Sequence, residues 1–211
     1  MTDTSLEMLQ SHTFSEEFRR EFRELLVWRR DVRRFRNDVL PGGLLKELLD
    51  LTRLAPSVGL SEPWRFLRVE NMDARNAIRE EFERANREAL AGYSGEQAAL
   101  YSRLKLAGLK EAPEHLAVFV DNATHKGSGL GRRTMPEMLE YSVISAITVL
   151  WLAARAHGVG MGWVSILDPA KVGKILGVPA EWGLVAYLCL GYPEEEGCVP
   201  ELERAGWEKR G

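Results

Sequence analysis

Residues 137 to 158 read EMLEYSVISAITVLWLAARAHG, and no other stretch limits the possible fold as severely. Its apolar and small residues do not gather into one stripe at helical spacing. They occupy every side, so a helix formed here is expected to be buried all round, in a core or between subunits. Ser142, Ser145, Thr148 and Arg155 interrupt the run and acidic residues flank it, which argues against a membrane span. A chain built around such a helix needs other layers of structure to pack against it.

The remaining segments supply those layers. Phe18, Phe22, Leu25, Leu26 and Trp28 recur at near-helical spacing after Ser15, Glu16 and Glu17, residue types that open helices. A second helical run, GGLLKELLDLTRLA, stops at Ala55-Pro56, because the residue before proline disfavours helix. WRFLRVE then alternates like a strand, while LAVFVD (116 to 121), MGWVSILD (161 to 168) and LVAYLCLGYP (184 to 193) are short apolar runs of strand type. Residues 73 to 111 are charged and alanine-rich, with Gly92-Tyr93-Ser94-Gly95 splitting them into two helical pieces. Helices and short strands thus interleave, which predicts an α+β or α/β domain with a small sheet wrapped by helices.

Charge and cysteine usage remove several function classes. Lys+Arg number 28 against Asp+Glu 31, and the pI is about 5.9, so the chain lacks the overall basic field of a nonspecific nucleic-acid binder. Cys189 and Cys198 form no metal knuckle or disulfide framework. His12, His115, His125 and His157 lie far apart, so no metal site is expected. The N-terminal stretch is polar and acidic without an apolar core, which points to the cytoplasm. The glycines of GSGLGR (127 to 132) do not match the dinucleotide fingerprint.

One cluster stands against this neutral background. RRDVRRFR (29 to 36) holds five arginines in eight positions with Asp31 among them. Guanidinium forks match phosphate, so several of them could clasp a terminal phosphate; a solvated basic face with an internal ion pair accounts for the composition equally well. APSVGLSEPW places Ser57, Gly59 and Ser61 where backbone amides could approach a ligand, or where a helix simply turns into a strand. GVGMGWVSILDP could lay backbone against a flat ring, or be a buried strand entered through a glycine turn.

Taken together, RRDVRRFR, LAPSVGLSEPWRF, the stretch from GLGRRTMPEM to WVSILDP, and LGYP followed by PELERAGW resemble the flavin-binding nitroreductase superfamily, and within it the 5,6-dimethylbenzimidazole synthases. The likeness covers roughly residues 14 to 210. Ordinary nitroreductases resemble this chain in an R-R-S-x-R opening, whose serine place is filled here by Asp31. Leu60 stands where those enzymes usually carry asparagine, and Glu62 where glutamine is common.

The resemblance implies an α+β nitroreductase-like fold with a small, mostly antiparallel sheet, a domain-crossed homodimer with FMN at the subunit interface, and a single domain over 14 to 211 behind a flexible arm, 1 to 13. It implies an enzyme for which reduced FMN is substrate and O2 co-substrate, giving 5,6-dimethylbenzimidazole, the lower ligand of vitamin B12, and erythrose 4-phosphate. A separate NAD(P)H flavin reductase would supply the reduced flavin. Arg29, Arg30 and Arg33 would hold phosphate and ribityl oxygens, and Val32, Pro56, Ser57 and Gly162 would also contact the flavin. Asp31 would move protons, Ser165 would be the second polar group near the ring, and the helical segment 73 to 111 would close as a lid. The alternatives are an NAD(P)H-dependent flavin or nitro reductase, a cob(II)yrinic acid a,c-diamide reductase, and a flavin- or polyanion-binding module without catalysis.

Overall fold

In the computed structural model, which describes residues 13–104 and 107–211, seven of the eight residues of β2 (Glu114–Asp121) are buried. A strand apolar on both faces has to lie inside a sheet covered on both sides. β2 accordingly sits between β1 (Trp64–Arg68) and β4 (Trp182–Gly191), and β3 (Gly160–Val164) completes an antiparallel sheet of order β1-β2-β4-β3. The register pairs Trp64 with Val120, Leu116 with Leu188 and Met161 with Leu190, with one irregularity at Val118/Phe119.

Period-two alternation divides the core. Leu116, Val118, Val120, Leu188 and Leu190 face a cluster with α2 (Leu44–Leu51) and α5 (Met138–Ala156). Ala117, Phe119, Tyr187 and Cys189 face the other, with Val32, Phe35, α3 (Met72–Ala91) and α6 (Pro169–Leu176). The remaining helices are α1 (Glu16–Trp28), α4 (Gly95–Arg103) and the single turn α7 (Glu201–Arg204).

Local chemistry sets the boundaries. Ser15 caps α1 by accepting from the Phe18 N–H at 3.1 Å. The second helix tightens into a 3-10 turn, Thr52–Leu54, ahead of Pro56. β3 is shorter than the expected 161 to 168, because Asp168 caps α6 through the Ala170 and Lys171 N–H groups and Pro169 begins it. The expected lid is two helices, α3 and α4, broken at Gly92–Ser94; within its span, 105 and 106 lie outside the described residues, as does the arm over 1 to 12.

Within one protomer α5 is covered on one side only, which leaves burial between subunits as the remaining part of the expectation. Leu139, Val143, Ala146, Ile147, Leu150 and Ala154 fill the core, but Tyr141, Ile144 and Thr148 form an open stripe in the single protomer. α1 is more exposed still: none of its residues is buried, and Phe14, Phe18 and Phe22 stack in a row along the outside.

Candidate active site

Residues 29 to 36 run extended beside the free edge of β3. Asp31 pairs in parallel with Met161, the Val32 N–H donates to the Met161 carbonyl at 3.0 Å, and Phe35 pairs with Pro193. The glycines of GVGMG make this approach possible. A Cβ on Gly162 would run into the Val32 carbonyl oxygen, and one on Gly160 would lie 2.8 Å from Val32 Cγ2. The glycine alternation therefore admits a neighbouring extended segment. Val32, 3% exposed, and Gly162 are both taken up in this seam.

An extended chain sends successive side chains to opposite sides, so the five guanidinium groups do not converge as the cluster suggested. Arg30 is buried and turned toward the C-terminal segment: Nε donates to the Gly197 carbonyl at 2.6 Å and Nη2 to that of Glu195. Arg34 faces Glu201 at 3.6 Å, and Arg36 pairs with Asp38 at 3.0 Å. Nε and Nη2 of Arg30, an expected phosphate ligand, thus hold backbone of the same chain.

Arg29 behaves differently. Its guanidinium lies over the Trp151 ring at 4.8 Å, half-buried, and its pKa is lowered by desolvation and then by the nearby charge of Arg210, with Asp31 acting in the opposite sense. Among the described residues neither Arg29 nor Arg210 forms an ion pair with a carboxylate. Arg29 is thus a half-buried cation with no carboxylate in ion-pair contact, a position from which it could take up an anion.

Asp31 is held at both oxygens. Oδ1 accepts from the Trp163 N–H at 2.9 Å, continuing the β3 edge with a side chain where a strand would offer a carbonyl, and Oδ2 accepts from Arg33 Nε at 2.7 Å. The carboxylate is fixed in direction yet about a third exposed, so a bound molecule could still reach it. Ser165, the first residue past β3 and two beyond Trp163, is exposed.

The loop with Pro56 and Ser57 is anchored elsewhere. Ser57 Oγ accepts from the Glu62 N–H at 3.2 Å, and the Val58 N–H donates to Ser142 Oγ at 3.0 Å, which fastens the loop to the start of α5. Leu60 and Glu62 adopt positive φ of 54° and 42°, conformations that disfavour L side chains and concentrate in ligand loops. An asparagine enters that region more readily than the exposed Leu60 does. Glu62 is ion-paired with Lys126. Ser142 and Trp151 are nine residues apart on α5, about 13 Å at the helical rise. Within one protomer the fold therefore gathers Arg29, Asp31, Arg33 and Gly162, and keeps Pro56 and Ser57 at the far end of α5, across the open stripe.

Three comparisons bear on this arrangement. The model of the nitroreductase family matches residues 26–192. The chain is 54% identical over 197 residues to a 5,6-dimethylbenzimidazole synthase of Rhodospirillum rubrum, covering 93% of each chain. It is 44% identical to one of Rhodobacter capsulatus, covering 93% of this chain and 95% of that one. Among solved structures, iodotyrosine deiodinase bound to FMN and 3-iodo-L-tyrosine superposes with a TM-score of 0.70 at 29% identity, over 83% of this chain and 91% of that one.

Proposed function

The chain belongs to the nitroreductase family, and from that membership we infer that it is a 5,6-dimethylbenzimidazole synthase, converting reduced FMN and O2 into 5,6-dimethylbenzimidazole and erythrose 4-phosphate. The observation that carries the reading is Asp31: a carboxylate stands where ordinary members of the family have serine, and it is locked onto the β3 edge by the Trp163 N–H and Arg33. Tail binding alone gains nothing from a negative charge beside a phosphate grip. Chemistry that breaks bonds in the flavin does, because protons have to move at a defined place.

Reduced FMN, once bound, supplies the electrons that O2 takes up. In our reading Arg29 grips the phosphate, and Arg33 holds both Asp31 and the ribityl side. Asp31 accepts and returns protons there, while the Ser165 hydroxyl orients the ring side. The α3–α4 hairpin closes over the site and excludes water that would divert the oxygenated flavin to hydrogen peroxide. No group of three His, Cys, Asp or Glu among the described residues could hold a metal ion.

A homodimer accounts for the separation of the two halves of the site. The open stripe Tyr141–Ile144–Thr148 and the uncovered aromatic row of α1 are the apolar surface that a second copy would bury. In that arrangement the Pro56–Ser57 loop of one protomer meets the Arg29–Asp31 seam of its partner. A separate reductase then delivers the reduced flavin.

The test is to mix purified protein with chemically reduced FMN in air and follow dimethylbenzimidazole by mass spectrometry. The reading expects product at the expense of flavin, without NAD(P)H. Intact flavin with sustained NAD(P)H oxidation would instead identify a flavin, nitro or corrinoid reductase.

A further inference from the structure

The C-terminal residues touch two parts of the site that are otherwise far apart in sequence. On one side they are fastened to the arginine-rich strand. Arg30 donates to the Gly197 carbonyl at 2.6 Å and to that of Glu195, the Glu194 N–H donates to the Arg34 carbonyl at 3.0 Å, and Arg155 pairs with Glu196 at 2.8 Å. On the other side, Trp207 stands against the hairpin: its ring is 5.7 Å from that of Tyr93 and 6.1 Å from that of Tyr101. The two tyrosines are 4.8 Å apart, and the Tyr101 hydroxyl donates to Asn86 Oδ1 at 2.8 Å, so α4 is tied to α3 at the same spot. Trp207 itself is set by its N–H bond to the Leu202 carbonyl at 2.9 Å.

We propose that residues 194 to 210 form a strap coupling the hold on the flavin phosphate to closure of the α3–α4 hairpin, with Trp207 as its latch. The contacts of the half-buried Trp207 with Tyr93 and the buried Tyr101 favour one docked arrangement of the hairpin. At its other end the strap is bonded to Arg30 and Arg34, on the strand that carries Arg29. Fixing that strand through a phosphate on Arg29 restrains the strap and with it Trp207, and by reciprocity a docked hairpin strengthens the hold on the phosphate. Trp207 is a positioning residue, for it acts through Tyr93 and Tyr101. The coupling rests on the flavin reading above; the latch does not.

The test is amide hydrogen exchange across residues 95–103 in the full chain, alone, with FMN, and with riboflavin, which lacks the phosphate. Without ligand, Trp207→Ala should exchange about tenfold faster than the unmodified chain. Trp207→Phe, which keeps a ring, should stay near the unmodified rate, and Tyr93→Ala, which leaves the strap whole, should match Trp207→Ala. FMN should slow exchange in the unmodified chain and lose that effect in Trp207→Ala; riboflavin should have none. Equal rates for Trp207→Ala and the unmodified chain would overturn the latch, and equal slowing by riboflavin and FMN would overturn the coupling. If neither flavin alters the rates while Trp207→Ala still does, the flavin assignment fails and the coupling with it, but the latch stands.

Discussion

Along the seam, residues 29 to 36 meet β3 backbone to backbone, and Gly162 leaves no room for a side chain between them. Among the described residues the α3–α4 hairpin is attached through side-chain contacts: Ile78 in the core, Glu81 to Lys171 of α6 at 3.3 Å, and the rings of Tyr93 and Tyr101 on Trp207. Interlocked backbone cannot yield by small steps, whereas side-chain contacts can be made and broken singly. The difference suits an enzyme that must hold one end of its substrate rigidly and open the other to admit and release it.

The sharpest way to break the contrast is Gly162→Val. Its side chain collides with the Val32 carbonyl, and the unfolding free energy in urea should fall by about 3 kcal/mol or more, with flavin binding lost. An equivalent alanine at exposed hairpin positions should change it by less than about 0.5 kcal/mol.

Acid sharpens the contrast by acting on the hairpin's side of the sheet. His115, bonded to the Tyr187 hydroxyl at 2.9 Å in that layer, has its pKa lowered to about 4 by desolvation and then by Arg75. The folded state resists protonation there while the unfolded state accepts it below its ordinary 6.5. Stability is therefore fully present above that value and should decline by about 3 kcal/mol as pH falls from 6.5 to 4. Glu81, held at about 2 by its bond to Arg84 and then by that to Lys171, adds a second loss that begins only below its ordinary 4.5. Urea unfolding at stepped pH should show the first decline before the second, and His115→Gln should remove the first.

The smallest of the three effects bears on the grip. Arg29→Ala should weaken FMN binding by about 1.5–3 kcal/mol, roughly ten- to hundredfold, without altering the urea midpoint by as much as Gly162→Val does. Fluorescence titration with FMN measures it.

Much of this was readable from sequence, for reasons that can be named. LAVFVD is apolar without alternation, and it is the strand covered on both faces; Ser15 is a cap whose chemistry acts within three residues, whereas the cap at Asp168 was read as the end of a strand. What escaped depends on contacts across long separations. The arginines looked like one patch because composition does not reveal that residues 29 to 36 are extended, with alternate side chains pointing apart. The glycines of GVGMG signalled close approach correctly but not what approaches. Trp207 and Ser142 carry no signal of their own partners, and only folding brings them to Tyr93 and Val58. Burial of α5 between subunits was among the sequence expectations, but not which residues form the open stripe, because Tyr141 and Ile144 are as apolar as residues already in the core.

The most direct measurement compares Asp31→Asn with the unmodified protein, both loaded with chemically reduced FMN and exposed to air, and quantifies dimethylbenzimidazole against FMN bound. Asparagine keeps an oxygen for the Trp163 N–H but cannot accept a proton. Product should fall by about 10²–10⁴-fold, as for loss of a general acid–base group, with FMN affinity little changed. Undiminished benzimidazole from Asp31→Asn would contradict the account.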